Sequence, residues 1–154
     1  MTTRILLVED ELLVALSLRE ALCETGFDVE CAYLARTVID DTRCIQWDAA
    51  LVDMCLPDES GASVIRHLRD RQPMLPVILT TGMETPETQR FASELGITML
   101  AKPFEEKTLI DLLKRLLVDA KSAQRGAQTR LLRSRNGRSP LGHGNTPPTI
   151  PVAK

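Results

Sequence analysis

A short apolar run that ends in a carboxylate constrains the fold of this chain more than any other feature. Residues 49–52 read Ala-Ala-Leu-Val, Asp53 follows them, and a turn rich in Pro, Asp and Gly continues to Gly61. Apolar runs of this length, bounded by turn residues, are typical of buried strands in a parallel sheet. The carboxyl ends of such strands form the edge where open α/β sheets bind ligands. Asp53 is therefore the first candidate for a reactive group, and capping a helix or closing a turn is its alternative role.

Apolar runs alternate with segments of helical periodicity along the chain. Strands are predicted at residues 4–8, 27–33, 48–52, 77–81 and 97–101. Helices are predicted at residues 11–24, 34–46, 60–70, 86–94 and 104–120. This alternation predicts βαβ units, and therefore an α/β fold with a doubly wound parallel sheet. Because the crossovers are right-handed, all strands end along one edge of the sheet.

Charge divides the chain into two parts. Seven of the 19 Lys and Arg residues lie in residues 120–154, which contain no acidic residue, so residues 1–119 hold 12 basic against all 21 acidic residues. Residues 121–154 also lack apolar periodicity. This composition predicts a disordered basic tail, with a helical extension through about Leu132 as the alternative. The expected domains are residues 1–120 and the tail, residues 121–154.

The sequence also predicts a cytoplasmic location. No apolar run reaches the roughly 18 residues of a membrane span, and the first residues show no signal-peptide architecture. The four cysteines have no CxxC spacing. They are therefore expected to be reduced, mostly buried thiols.

Side chains that can carry chemistry follow four of the predicted strands. Glu9 and Asp10 follow the first, Asp53 the third, Thr81 ends the fourth and Lys102 follows the fifth. In a flavodoxin-like sheet of order 2-1-3-4-5, strands one and three are neighbours. Three carboxylates would repel one another there unless a cation lay between them, and Mg²⁺ prefers such oxygen ligands. A hydroxyl and an ammonium beside Asp53 would suit an anion formed on it, which predicts an aspartyl-phosphate site.

In order and spacing, these residues resemble the receiver domain of response regulators. The family pattern has an acid pair after strand one, an aspartate after strand three, a Thr or Ser after strand four and a Lys-Pro after strand five. Residues 3–119 match it through Glu9-Asp10, Asp53 with Pro57 and Gly61, Thr81-Gly82, and Lys102-Pro103-Phe104. The resemblance implies a flavodoxin-like (βα)5 fold and a response regulator of the single-domain type.

The resemblance also implies a role for each acidic position. Asp53 is expected to accept a phosphoryl group from a histidine kinase or a histidine phosphotransfer protein. Asp10 is expected to hold Mg²⁺, with Glu9 acting directly or through water. Asp53 and the backbone carbonyl of Met54 are the further expected ligands.

Two more residues and the output surface follow from the resemblance. Lys102 is expected to bind a phosphoryl oxygen, and a simple salt bridge to Asp53 in the resting state is its alternative role. Thr81 is expected to move toward the phosphoryl group. The downstream protein partner is expected on the face of helix four, strand five and helix five. Such a domain catalyses its own phosphorylation and dephosphorylation in the presence of Mg²⁺, and is a switch rather than a metabolic enzyme.

Three positions depart from the family pattern. Met99 stands where an aromatic residue usually relays the state of the threonine, which puts an aromatic switch in doubt. Cys55 and Met83 stand two residues after Asp53 and Thr81, where side chains help to admit or orient the hydrolytic water. Neither orients water well, so slow self-dephosphorylation is expected.

Three alternative functions follow from other features. Residues 80–85 resemble a flavodoxin phosphate loop, but they follow the fourth strand rather than the first. An interaction module that works without phosphorylation is the second alternative, although such modules commonly lose site residues that this chain retains. The basic tail could attach to nucleic acid or to an acidic partner through release of counterions.

Overall fold

The computed structural model describes residues 1–136 of the chain. Strands and helices alternate along them as β1 (Arg4–Val8), α1 (Leu12–Glu24), β2 (Asp28–Ala32), α2 (Ala35–Ile39), β3 (Ala49–Asp53), α3 (Gly61–Arg71), β4 (Val77–Thr81), α4 (Pro86–Leu95), β5 (Thr98–Ala101) and α5 (Glu106–Asn136). The strands form one parallel sheet in the order β2-β1-β3-β4-β5. This order confirms the predicted flavodoxin-like fold.

Alternate residues of each inner strand pack into different apolar clusters. On β1, Leu6 and Val8 belong to a cluster with residues of α2, α3 and α4, whereas Ile5 and Leu7 belong to one with residues of α1 and α5. Successive side chains of a strand point to opposite faces of a sheet. Helices therefore cover both faces of the sheet.

Helix α2 is much shorter than the predicted helix at residues 34–46, and that prediction is wrong beyond Ile39. The carboxylate of Asp41 accepts a hydrogen bond from the backbone N–H of Arg43 at 2.8 Å. A short polar side chain that satisfies the backbone locally competes with helical hydrogen bonding. The chain therefore leaves the helix and forms a loop that leads to β3.

The cysteines are free thiols, as predicted, but the expectation that most are buried is wrong. Cys23, Cys44 and Cys55 are exposed, and Cys31 is half-buried. Cys44 and Cys55 lie in loops, and Cys23 lies beside the buried Leu22 on the outer side of α1. Leu, Val and Ile fill the core instead.

Helix α5 continues past its predicted end near Ala120. Residues 1–122 form one compact unit, and the described part of the second unit, residues 123–136, is the continuation of this helix. The predicted disorder is therefore wrong for residues 121–136, which continue the helix as the alternative, a helical extension, allows. Residues 137–154, the rest of the predicted tail, lie outside the described residues. Within residues 1–136, no helix has the length and apolar character that crossing a membrane requires.

Gly61 is required by a close backbone approach at the start of α3. A Cβ atom at this position would lie far inside contact distance of the backbone carbonyl oxygen of Asp53. We predict that Gly61→Ala lowers the free energy of unfolding by roughly 1–3 kcal/mol, the usual cost of overpacking. Urea denaturation measures this change.

Gly82 provides the matched control, because a Cβ atom there would meet nothing within 4 Å. We expect Gly82→Ala to change the free energy of unfolding by no more than about 0.5 kcal/mol. Equal losses in the two variants would contradict the argument from close approach.

Candidate functional site

The sheet brings the predicted site residues to one edge. Strands β1 and β3 are neighbours, and Val8 pairs with Val52, so Glu9 and Asp53 follow the paired residues side by side. On the other side of β3, Asp53 pairs with Thr80 of β4. The topology thus places the ends of β1, β3 and β4 together, as the sequence predicts.

Lys102 forms a salt bridge with two buried carboxylates. Its Nζ atom lies 2.7 Å from Asp53 Oδ2 and 2.8 Å from Glu9 Oε2. Glu9 is 2% exposed and Asp53 is 5% exposed. The expected resting-state bridge from Lys102 to Asp53 is present, and the second bridge, to Glu9, is one that the sequence did not predict.

Backbone N–H groups hold the other oxygen of each buried carboxylate. The N–H of Cys55 donates to Asp53 Oδ1 at 3.0 Å, and the N–H of Glu11 donates to Glu9 Oε1 at 3.2 Å. Buried charges are tolerated when they are both paired and hydrogen-bonded. Each carboxylate is therefore oriented through both of its oxygens.

The pKa values of this group follow from burial and pairing. Burial raises the pKa of Glu9 above its usual range, and the hydrogen bond from Lys102 offsets only part of the rise. Burial by itself would lower the pKa of Lys102, but hydrogen bonds to Asp53 and Glu9 raise it above its usual value. The lysine therefore stays charged, and Glu9 takes up a proton more readily than a solvent-exposed glutamate would.

Asp10 completes a cluster that can hold a cation. Oxygen atoms of Glu9, Asp10 and Asp53 all lie within 4.8 Å of one another, and Asp10 is exposed. One ammonium group, that of Lys102, cannot neutralise three carboxylates. An all-oxygen, partly accessible and net negative donor set fits Mg²⁺.

Met54, the fourth predicted ligand, is already engaged through its backbone. Its carbonyl oxygen accepts a hydrogen bond from the N–H of Gly61 at 2.9 Å. A carbonyl oxygen has two lone pairs. A metal ion at Met54 would therefore have to share this oxygen with the start of α3.

Thr81 lies beside Lys102, with its hydroxyl bound to its own loop. The N–H of Lys102 donates to the Thr81 carbonyl oxygen at 2.7 Å. The Thr81 hydroxyl donates to the carbonyl oxygen of Met83 at 2.7 Å and accepts from the Met83 N–H at 3.1 Å. Thr81 is 1% exposed. The hydroxyl must give up its bond to the Met83 carbonyl oxygen before it can donate to another acceptor.

Sequence reasoning missed the contacts that depend on three-dimensional folding. The Glu9–Lys102 bridge joins residues that are 93 positions apart. The carboxylate of Asp58, in the loop after Asp53, binds the first residues of α2. The Pro-Asp pair in that loop marks a turn, but nothing in the sequence indicates the helix that this carboxylate reaches.

The raised pKa of Glu9 leads to a prediction for the metal-free protein. The stabilisation from its tighter proton binding is complete below the unfolded pKa, near 4.5, and is lost as pH rises through the folded pKa. Glu9→Gln cannot ionise and escapes this loss. We predict that the free energy of unfolding of Glu9→Gln, minus that of the wild type, increases as pH rises from below the unfolded pKa of Glu9 to above its folded pKa.

Urea denaturation in a chelator over a pH series measures this difference. The exposed neighbour Glu11, changed to Gln, is the matched control for removing one carboxylate. A difference between Glu9→Gln and wild type that stays flat or falls with rising pH would contradict the prediction.

Comparison with known proteins agrees with this geometry. The response regulator receiver domain profile matches residues 5–114. The probable transcriptional regulatory protein SilR of Salmonella typhimurium is 34% identical over 115 residues, which cover 74% of this chain and 50% of that protein. The response regulator MprA of Mycolicibacterium vanbaalenii is 31% identical over 118 residues, covering 76% and 51%. The chain thus spans about half the length of these curated relatives.

Solved structures show the same fold. A CheY-like response regulator receiver domain protein from Methanospirillum hungatei superposes with a TM-score of 0.73 at 25% identity, covering 80% of this chain and 99% of that one. The non-phosphorylated HemR receiver domain from Leptospira biflexa gives a TM-score of 0.70 at 27% identity, covering 75% and 94%. With its profile match, its relatives and its sheet order, this chain belongs to the response regulator receiver family.

Proposed function

We propose that this chain accepts a phosphoryl group on Asp53 from a histidine kinase or a histidine phosphotransfer protein in the cytoplasm, and signals through protein contacts. One observation supports this most. The buried Asp53 carboxylate at the end of β3 contacts the Lys102 ammonium at 2.7 Å, within a cluster of three carboxylates. A carboxylate nucleophile with a fixed positive charge beside it is the arrangement that phosphoryl transfer to aspartate requires.

In the proposed reaction, a carboxylate oxygen of Asp53 attacks the phosphorus of a phosphohistidine. The O–P bond forms as the P–N bond breaks, and the imidazole leaves with the electron pair. Lys102 already binds Asp53 Oδ2 and is placed to bind a phosphoryl oxygen. The Thr81 hydroxyl would redirect its donated hydrogen bond from the Met83 carbonyl oxygen to a phosphoryl oxygen.

The acidic cluster supports a requirement for Mg²⁺. Glu9, Asp10 and Asp53 would hold the ion, with the carbonyl of Met54 as a further proposed ligand. When bound, Mg²⁺ would neutralise charge that builds up on the transferring oxygens. The raised pKa of Glu9 fits this proposal, because a cation would favour the charged form that burial disfavours.

Output is proposed through the surface of α4, β5 and α5. Strand β5 is the outermost strand on one side of the sheet, and its residues are half-buried or exposed. The curated relatives are longer than this chain, and the proposal concerns output through this surface alone.

Met99, in β5, is partly buried and packs against the core, at the position where the family usually has an aromatic residue. We therefore propose that repacking of a methionine relays the state of Thr81.

The basic end of α5 supports a second candidate function, attachment to a polyanion. Lys121, Arg125, Arg130 and Arg133 are exposed along this helix, and residues 121–136 contain no acidic residue. The acidic excess of residues 1–119 opposes binding to nucleic acid. Phosphoryl acceptance is therefore the function that we propose.

We predict that incubation with acetyl phosphate and Mg²⁺ adds one phosphoryl group to the protein. Intact-mass analysis measures the gain. It should be absent with a chelator and in Asp53→Asn, because the amide is not a nucleophile. Asp48→Asn is the matched control, since Asp48 lies at the other end of β3 and should leave the gain unchanged. A gain in Asp53→Asn, or none in a folded wild type supplied with a histidine phosphodonor, would contradict the proposal.

We predict slow loss of this phosphoryl group, with a half-life much longer than seconds. Cys55 and Met83 are exposed, but neither a thiol nor a thioether orients a water molecule well. Cys55→Asn supplies an amide that can hold water and should shorten the half-life. Cys44→Asn, at an exposed cysteine in another loop, should not change it. A wild-type half-life of seconds, or equal effects in both variants, would contradict this prediction.

A further inference from the structure

The segment that follows Asp53, residues 54–60, is a tightly bonded loop, here named the β3–α3 loop. At the ends of the loop, the Gly61 N–H donates to the Met54 carbonyl oxygen at 2.9 Å. The backbones of Cys55 and Ser60 also form an isolated antiparallel β-bridge. The N–H of Cys55, within this loop, donates to Asp53 Oδ1 at 3.0 Å. The conformation of the loop therefore decides whether one oxygen of the reactive carboxylate is held.

A side chain at the middle of this loop reaches the start of α2. Asp58 Oδ1 accepts the N–H of Ala35 and Asp58 Oδ2 accepts the N–H of Arg36, each at 2.9 Å. These N–H groups belong to the first turn of a helix, which has no intrahelical acceptors for them. Both oxygens of Asp58 are used, so the contact fixes the direction of the side chain.

Helix α2 depends on this contact because it has no cap of its own. Its N-cap residue is Leu34, whose side chain offers no acceptor and makes no capping hydrogen bond. The N–H of Arg36, followed by that of Ala35, holds the pKa of Asp58 below its usual range, so the cap is a charged carboxylate. The cap therefore comes from a residue 23 positions away, in the loop that begins at the reactive aspartate.

A second contact between the same segments is weaker. Glu59 Oε1 lies 3.4 Å from Arg36 Nη2, and the Arg36 side chain is 59% exposed. Exposed ion pairs contribute little because solvent screens them and ordering two long side chains costs entropy. Asp58 is therefore the residue that ties the loop to the helix.

We propose that Asp58 is a positioning residue for phosphoryl acceptance. By tying the β3–α3 loop to α2, Asp58 keeps the Cys55 N–H on Asp53 Oδ1 and so orients the nucleophile. This inference rests on the function proposed above. Without Asp58 the loop samples other conformations, and the carboxylate is in attacking geometry for a smaller fraction of the time.

A purely structural cap would have different consequences. It would stabilise α2 and the fold, but its loss would leave the Cys55 N–H protected and the reactivity of Asp53 unchanged in folded protein. The test therefore compares Asp58→Ala with Asp48→Ala. Asp48 is also an exposed residue whose carboxylate accepts a backbone N–H, that of Arg4, at 2.8 Å, but it precedes the opposite end of β3.

Two readouts are measured on the full chain. The first is amide hydrogen exchange at Cys55, without any phosphodonor; it should be faster in Asp58→Ala than in wild type and unchanged in Asp48→Ala. The second is the rate of phosphorylation by acetyl phosphate in Mg²⁺. We expect Asp58→Ala to lower its maximal value by roughly tenfold without changing the donor concentration for half-saturation.

Asp58→Asn keeps one acceptor oxygen, so its Cys55 exchange and its maximal rate should lie between those of Asp58→Ala and the wild type. This variant also keeps the test available if Asp58→Ala fails to fold. Unchanged Cys55 exchange and an unchanged maximal rate in folded Asp58 variants would overturn the proposal and leave a cap only. Failure of the wild type to accept a phosphoryl group would instead count against the proposed function. Cys55 exchange would still decide whether Asp58 positions the loop.

Discussion

The structure of the site depends on one ammonium group between two buried carboxylates. Lys102 contacts Asp53 at 2.7 Å and Glu9 at 2.8 Å, and both acids are almost fully buried. Removing one partner from such a group leaves an uncompensated buried charge, which is far more costly than the pair is stabilising. The three residues therefore act as a unit. The ends of β1, β3 and β5 have to lie close enough together for Lys102 to contact both carboxylates.

The same unit connects the resting fold to its chemistry. Asp10 adds a third carboxylate within 4.8 Å, so the cluster carries more negative charge than Lys102 neutralises. That excess favours a cation, and the Lys102 contact leaves a positive charge beside the oxygen that would attack. In the proposed reaction, the Thr81 hydroxyl would have to release the Met83 carbonyl oxygen before it could donate to the phosphoryl group.

The sequence predicted the features that depend on local pattern and general topology. Strand ends placed Glu9, Asp53, Thr81 and Lys102 at one edge, because parallel strands end together whatever the details of packing. It could not predict the short α2, where Asp41 satisfies the backbone locally, or the reach of Asp58 to that helix. It also missed the bridge from Glu9 to Lys102. Such contacts are decided by side-chain geometry between distant segments, which periodicity and spacing do not contain.

Locating the phosphoryl group within the phosphorylated chain tests most directly whether Asp53 is the nucleophile. Borohydride reduces an aspartyl phosphate to homoserine, and peptide mass spectrometry then identifies the altered position. We expect homoserine at position 53, with Glu9 and Asp10 unaltered. Homoserine at position 10, or a phosphoryl group retained on a serine, threonine or histidine while Asp53 stays intact, would contradict the assignment of Asp53 as the nucleophile.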